Sequence, residues 1–222
     1  MCVWCPLWPV QRLLSEQPEL SDRPVILFAE GRRGLHVTDC SPEAAHLGIR
    51  VGMPLGEARS LLLMTVARPK RRTETKPVWQ RADPTSDRAR LQTLALHCQR
   101  YSPLVGMEDA SEPESLWLDI SGSEALFGGE QGLADVLRTD LAQQGIRVRI
   151  AVADSWGAAW AVSHFGESPD SLIPAGQQAT ALAPLSVAAL RIPDNVIELL
   201  RTLDVSTIGR LMRLPRASLP SR

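Results

Sequence analysis

The sequence predicts an α+β protein built around a mixed β-sheet. Residues 116–121 and 148–152 alternate apolar and polar side chains with the two-residue period of a strand that has two different faces. Helical apolar spacing follows each of them, in residues 132–144 and 156–165, and a short apolar strand opens the chain at residues 2–5. This order of strands and helices is typical of a mixed α+β layer.

A smaller group of elements is predicted before residue 68. A helix begins at Ser41, because Pro42 fits the first helical position, where no amide hydrogen is needed, and Gly48 ends that helix. The remaining elements are two strands joined by a hairpin connection, at residues 25–28 and 35–38, and two helices, at residues 10–20 and 54–63.

Residues 68–85 predict a loop or linker, since they carry Lys76-Pro77 and Asp83-Pro84 and few apolar side chains. The basic run Arg68-Pro-Lys-Arg-Arg72 suits salt-dependent contacts with a phosphate backbone. Short like-charged runs are usually just solvated, and we favour that interpretation. A helix at residues 85–101 is expected to pack beneath the sheet.

The predicted secondary structure changes after residue 168, where short helices follow in place of strands. Three are predicted, at residues 179–190, 194–203 and 207–214, and prolines such as Pro193 separate them. Short helices with tight turns between them predict a small separate module.

Composition excludes several classes of protein. The chain of 222 residues has 24 Lys and Arg against 25 Asp and Glu, so no overall positive field indicates a nucleic-acid partner, and any DNA contact must come from local patches. No apolar run approaches the roughly 20 residues that cross a bilayer. The early apolar stretch also lacks a basic leader and a small-residue cleavage site, so we expect a cytoplasmic protein without a membrane partner.

Cys2 and Cys5 have the spacing of half a zinc site. No second Cys-x-x-Cys or His pair follows them, and residues three apart on a strand point to opposite faces. We therefore expect no metal and no cofactor, and a zinc-dependent DNA-binding module remains as an alternative that metal analysis tests.

Three stretches of the chain resemble the Y-family translesion DNA polymerases. Gly48-Ile-Arg-Val-Gly-Met is similar to a signature of their fingers, Leu118-Asp-Ile-Ser-Gly to their palm motif, and residues 203–215 to their thumb helices. The opening Cys2-Val-Trp-Cys-Pro and Tyr101-Ser-Pro-Leu-Val resemble the ImuB-type group, whose members are regarded as catalytically inactive polymerase homologues.

The resemblance implies a mixed-sheet palm with an α/β fingers insertion and a small helical thumb. The expected segments are a palm strand at 1–11, fingers and basic linker at 12–84, palm at 85–167 and a thumb-like module at 168–222. A DNA-gripping little-finger domain is expected after the thumb in this family, and we expect it to be absent from this chain.

The positions that match the metal-binding acids of active relatives are Cys2, Val3, Trp4, Glu114 and Ser115. Only Glu114 offers a carboxylate, and one carboxylate does not hold the two hard cations of phosphoryl transfer about 4 Å apart. A thiol suits zinc or copper better than magnesium. The resemblance therefore implies a vestigial palm site, and we expect Trp4 to fill the former catalytic cleft.

The triphosphate site implied by the resemblance is also vestigial. Pro42 and Ala45 stand where active members carry a tyrosine and an arginine, so the bidentate phosphate contact is lost. In the thumb, Arg191-Ile-Pro replaces a Gly-hydrophobic-Gly hairpin that grips DNA in active relatives. Thr207, Gly209 and Arg210 offer amide groups to phosphate at a helix start, with a simple helix cap as the equal alternative.

Several other groups invite a functional interpretation that we do not favour. Glu108, Asp109, Glu112 and Glu114 could be interpreted as a replacement metal cluster and Asp119 as a base. Exposed acids are common, so we expect the first four to decorate a loop and Asp119 to lie at a sheet edge. The four histidines, His164 among them, have no paired metal spacing and are interpreted as surface or core residues.

The sequence thus predicts a non-catalytic accessory protein of error-prone DNA repair and SOS-type translesion synthesis that binds damaged or primer–template DNA weakly. The resemblance implies a sliding clamp, an error-prone replicative-type polymerase and a RecA-like companion as partners, in a bacterial, nucleoid-associated setting. The alternative is a degenerate but active translesion polymerase that uses Glu114 and its neighbours.

Overall fold

The computed structural model describes residues 1–66 and 76–215, which form two β-sheets with helices packed on them. The larger sheet has five strands in the order β5-β6-β1-β7-β8. Strand β1 is central and antiparallel to both β6 and β7, whereas β8 joins β7 in parallel. These strands are β1 (Cys2–Trp4), β5 (Leu104–Met107), β6 (Ser115–Asp119), β7 (Arg149–Val152) and β8 (Asp170–Leu172).

Two helices cover one face of this sheet, α4 (Pro84–Cys98) and α5 (Glu130–Gln143). Their apolar residues pack on Val3, Leu116 and Ile150, which alternate with residues of the opposite face, and together they form the largest core of the described chain. Asp83 begins α4 by accepting the Ser86 amide at 3.0 Å, because a carboxylate before the first turn satisfies a free N–H group.

The opposite face of the sheet carries helix α6 (Trp156–Phe165). Small side chains such as Ala159 and Ala161 let α6 approach Cys2 and Ala151 closely, and these residues share a second core. The C-terminal helices pack on the outer side of α6, where Leu185, Ala189 and Ile208 join the same core. Helix α6 therefore lies between the sheet and the C-terminal helices.

The smaller sheet has three strands in the order β3-β2-β4, with β2 and β3 antiparallel and β4 parallel to β2. Arg12, in the helix Trp8–Glu16 that packs on the smaller sheet, connects this sheet to helix α4 of the larger one. Its guanidinium contacts Asp87 of α4 at 2.5 Å in a buried ion pair. The elements are β2 (Val25–Gly31), β3 (Gly34–Cys40), β4 (Val78–Arg81), α1 (Trp8–Glu16), α2 (Pro42–His46) and α3 (Leu55–Val66).

The C-terminal module contains α7 (Gln178–Leu182), α8 (Asp194–Thr202) and α9 (Ile208–Met212). Its own core includes Val187, Ile197 and Val205. Every helix in the described ranges is too short or too polar to cross a lipid bilayer.

Most predicted elements are confirmed, and three predictions need correction. Part of the predicted linker at 68–85 is ordered, because residues 78–81 form β4 and α4 begins at Pro84; its basic run lies within 67–75, outside the described residues. The predicted helix at 179–190 is α7 followed by a short 3-10 turn at Val187–Leu190, since Pro184 interrupts it. The predicted helix at 10–20 ends at Glu16, and a 3-10 turn at Pro18–Leu20 follows.

Besides β4, two further strands, β5 and β8, were not predicted. Strand β8 lies within the segment 168–222 assigned to the thumb-like module, yet it pairs with β7 and completes the five-stranded sheet. Both strands are short and lie at the edges of the sheet, where partly exposed residues give no apolar alternation.

Candidate vestigial polymerase site

Strand β1 brings together most of the residues that the sequence resemblance assigned to a vestigial palm site. Trp4 lies opposite Ser115 on one side and Arg149 on the other, and Cys2 lies two residues along on the same face. Val3 points to the other face and is fully buried in the main core. We call the group formed by Cys2, Trp4, Glu114, Ser115 and His164 the β1 cleft, although Cys2 and Ser115 are fully buried in it.

An aromatic stack fills the β1 cleft. The His164 ring lies between two indoles, with its centroid 4.3 Å from that of Trp4 and 4.1 Å from that of Trp160. The interplanar angles are 21° and 24°, so the three rings are nearly parallel. Trp160 and His164 lie one helical turn apart on α6 and share a face. Where a pair of metal ions would need carboxylates, the chain has packed rings.

Arginines cover both ends of this stack. The Arg191 guanidinium carbon lies 4.8 Å from the Trp160 ring centroid, and that of Arg149 lies 5.8 Å from the Trp4 centroid. A cation above an indole face is attracted by the ring's electron density. The stack thus connects Arg149 of β7, through Trp4 of β1 and the two rings of α6, to Arg191 of the C-terminal module.

Each indole N–H of the stack donates to a carboxylate. Trp4 donates to Glu114 at 3.0 Å, and Trp160 donates to Glu108 at 3.0 Å. Glu108 is buried at 7% exposure and also pairs with Arg191 at 3.2 Å, and Glu114 is half-buried against Trp4, so the expectation that these two acids decorate a loop is wrong. Asp109 and Glu112 are exposed, as expected.

The histidine in the stack is held neutral. Burial lowers the pKa of His164 to about 4, against the opposing effect of its contact with the Trp160 carbonyl. Its Nδ1 lies 2.9 Å from that carbonyl oxygen, and its Nε2 lies 3.3 Å from the Ser115 hydroxyl. This resembles a nucleophile–base pair, but Ser115 is 0% exposed, so no substrate carbonyl reaches its hydroxyl.

Cys2 offers no metal-binding thiolate. Burial raises its pKa to about 12, and the thiol sulfur accepts a hydrogen bond from the Ser163 hydroxyl at 3.3 Å. Cys5 lies in the core on the other side of the sheet, whereas Cys2 belongs to the core beneath α6. The two thiols therefore lie on opposite faces, as the strand spacing predicts, and they do not share a metal.

Glu114 is the one carboxylate among the matched positions. Burial raises its pKa, the Trp4 indole opposes this effect, and the charges of Glu108 and Glu112 add to it. Among the described residues, no three His, Cys, Asp or Glu side chains are placed to hold a metal ion. The β1 cleft does not provide the oxygen ligands that two hard cations require.

A second feature, which we call the interlayer cavity, borders Glu114 from the side of the smaller sheet. It has a volume of about 120 Å³, and its lining includes Asp39, Thr38, Glu112 and Glu114. Burial raises the pKa of Asp39 to about 6, with a further contribution from the charge of Glu114. The Thr38 hydroxyl is buried there with no hydrogen bond of ordinary length, and its interaction with Asp39 opposes this rise in pKa. Sequence reasoning gave no role to Asp39.

The matched triphosphate positions lie at the start of α2. Ser41 caps this helix by accepting the Ala44 amide at 3.4 Å, and Pro42 occupies its first turn. Ala45 is exposed and presents only a methyl group, so neither position donates a hydrogen bond to phosphate.

At the start of α9, the amides that were candidates for DNA binding have internal acceptors. Gly209 donates to the Ala183 carbonyl at 2.8 Å, and the Arg210 amide donates to the capping Thr207 hydroxyl at 3.3 Å. The helix-cap alternative for Thr207 is confirmed. A DNA contact by this segment stays a prediction, and the group left for it is the half-exposed Arg210 guanidinium.

Comparisons with known proteins agree with this fold. The profile of the impB/mucB/samB family matches residues 3–164. The chain is 42% identical over 141 residues to protein ImuB of Caulobacter vibrioides, covering 63% of this chain and 30% of that protein. It is 29% identical over 212 residues to DNA polymerase IV of Dehalococcoides mccartyi, covering 93% of this chain and 50% of that protein.

Solved structures show the same architecture at low sequence identity. The insertion ternary complex of Dbh DNA polymerase matches with a TM-score of 0.76 at 14% identity, over 96% of this chain and 60% of that chain. DinB from Sulfolobus solfataricus matches with a TM-score of 0.72 at 15% identity, over the same shares. These likenesses confirm the predicted α+β fold, and the chain spans between about a third and two thirds of the lengths of these proteins.

Proposed function

Because the chain belongs to the impB/mucB/samB family, whose profile matches residues 3–164, we propose that it is a non-catalytic, polymerase-like accessory protein of translesion DNA synthesis. In this role it binds primer–template DNA weakly and provides a platform for other proteins. The segments 1–11 and 85–167, with strand β8 added to them, serve as its palm, 12–84 as its fingers and linker, and the residues after β8 as its thumb-like module.

The observation that carries this proposal is the occupied β1 cleft. The lone carboxylate, Glu114, accepts the Trp4 indole at 3.0 Å, and Trp4 in turn stacks on His164. The Glu114 oxygen that accepts the Trp4 N–H is free to bind a cation only if this hydrogen bond breaks, which leaves one carboxylate oxygen for metal in the intact cleft. Even then the cation would find a protonated thiol at Cys2 and a hydroxyl at Ser115, which do not neutralise two divalent charges.

The rival function is a degenerate but active translesion polymerase. The likeness to DNA polymerase IV across 93% of the chain favours it. This enzyme would have to draw its metal ligands from Glu114 and other acids nearby, such as those of the interlayer cavity.

Primer extension decides between the two functions. The purified chain is incubated with a labelled primer–template and all four deoxynucleotides, with Mg²⁺ and separately with Mn²⁺. We expect no template-dependent product. Product that disappears in Glu114→Ala and persists in Asp109→Ala, which removes an exposed acid that does not line the interlayer cavity, would establish the enzyme instead.

The proposed partners follow from the family resemblance. They are a sliding clamp, an error-prone replicative-type polymerase and a RecA-like companion, met in the cytoplasm at the nucleoid during an SOS-type response. Purified candidates immobilised one at a time and tested against this chain decide each contact. Failure of all three would leave the weak DNA contact as the only proposed interaction.

A further inference from the structure

Arg191 has an unusual backbone conformation. It ends the 3-10 turn at Val187–Leu190 with φ 55° and ψ 32°, in the left-handed region. A non-glycine residue there costs free energy, and such conformations persist when the surrounding contacts stabilise them. The contacts here are the stacking on Trp160 and the ion pair with Glu108.

This ion pair differs from the other ion pairs of the C-terminal module. Arg201 pairs with Glu198 at 2.6 Å and Arg210 with Asp204 at 2.7 Å, in both cases within the module and with an exposed acid. Arg191 instead reaches across to Glu108 of the larger sheet, whose side chain is only 8% exposed. A buried carboxylate without a partner is costly, so Glu108 binds this cation more firmly than an exposed acid does.

The Arg191 side chain is 46% exposed, so one side of its guanidinium faces solvent. A guanidinium fork fits phosphate as well as carboxylate, and both ligands are anionic. A phosphate that approaches Arg191 must therefore compete with Glu108 for the same donors.

We propose that Glu108 is an intramolecular competitor of DNA: by pairing with Arg191 it withholds from the phosphate backbone a cation at the junction of the C-terminal module and the larger sheet. This inference rests on the proposed weak DNA binding. It identifies Arg191 as the regulated contact and Glu108 as the group that keeps the affinity low.

The test uses the whole chain and a dye-labelled primer–template DNA. Glu108→Gln removes the charge and keeps an oxygen that accepts the Trp160 N–H. We expect this variant to bind DNA about threefold to tenfold more tightly at roughly 50 mM salt, and the slope of log K against log salt to steepen by about 0.9, the value of one added phosphate contact. Glu108→Gln combined with Arg191→Ala should lose the gain. Glu112→Gln removes an exposed acid of the same segment and is the matched control for net charge.

A second measurement follows Arg191 without DNA. Phenylglyoxal modifies free guanidinium groups, and mass spectrometry gives the rate at Arg191. The rate should rise severalfold in Glu108→Gln and stay at the wild-type value in Glu112→Gln.

The outcomes separate this inference from the proposed function. If the wild type binds DNA and Glu108→Gln binds it equally, or no more tightly than Glu112→Gln, the competition is refuted. An unchanged phenylglyoxal rate refutes it as well. If neither the wild type nor Glu108→Gln binds DNA at low salt, the proposed DNA-binding function fails, and this inference fails with it.

Discussion

The β1 cleft and the interlayer cavity share Glu114 and differ in how far their polar groups are hydrogen-bonded. In the cleft, the indole N–H groups and both imidazole nitrogens have partners, and aromatic rings fill the space between them. In the cavity, Asp39 has a raised pKa, and the buried Thr38 hydroxyl beside it forms no hydrogen bond of ordinary length. The polar groups of the cleft are therefore held by packed rings and hydrogen bonds, whereas Asp39 faces the cavity without a cation paired to it among the described residues.

The largest effect is expected from opening the stack. Trp160→Ala removes the ring contact with His164 and the N–H donor to buried Glu108. We expect the free energy of unfolding to fall by about 2 to 4 kcal/mol, measured by urea denaturation. The control is Trp156→Ala, which removes an indole that is 53% exposed and should cost about 1 kcal/mol or less. Equal losses would mean that the stack adds no stability of its own.

A smaller effect with a definite sign is expected in the cavity. The pKa of Asp39 in the folded chain, about 6, lies above its ordinary value of 3.8, so folding favours its protonated form. The free energy of unfolding should fall as pH rises from about 4 to 6, because the folded state then loses the proton it binds more tightly. Asp39→Asn should therefore raise Tm at pH 7.5 and have little effect at pH 4. Asp109→Asn, at an exposed site, is the control, and a Tm gain that does not depend on pH would contradict this account.

The smallest effect is expected from divalent metal. Mg²⁺ or Mn²⁺ should leave the Tm of the wild type unchanged, because the cleft lacks the ligands that would favour the folded state by binding. An increase that Asp39→Asn abolishes would place a cation in the cavity. An increase in Tm that persists in Asp39→Asn and disappears in Glu114→Gln would place the cation in the cleft, and the contrast between cleft and cavity would then be wrong.

Local patterns predicted the sheet well, because the residues that signal it are close in sequence. The predicted two-residue period is found in the fold. The apolar residues of this period face the helices that cover the sheet, as Leu116 and Leu118 do in β6 and Ile150 and Val152 do in β7. The same period predicted that Cys2 and Cys5 lie on opposite faces. Strand β4 was missed because prolines flank a four-residue segment whose only pairing partner, β2, lies far back in the chain.

The contents of the cleft depend on contacts that no local pattern contains. Trp160 and His164 are spaced to lie on one face of a helix. This spacing alone does not show which residues pack against that face. Glu108 resembled a loop acid because exposed acids follow it in the sequence. Its burial depends on Trp160 and on Arg191, and the latter comes from another module.

The central position of β1 has a consequence for biosynthesis. Its two neighbours, β6 and β7, leave the ribosome long after it does. A nascent chain therefore carries this apolar strand with both edges unsatisfied until β6 has emerged, and with one edge unsatisfied until about residue 152 has emerged. The larger sheet therefore forms late and through contacts distant in sequence, which slows folding. Nascent chains arrested before β6 should be bound by holding chaperones, and those arrested after β7 should be released.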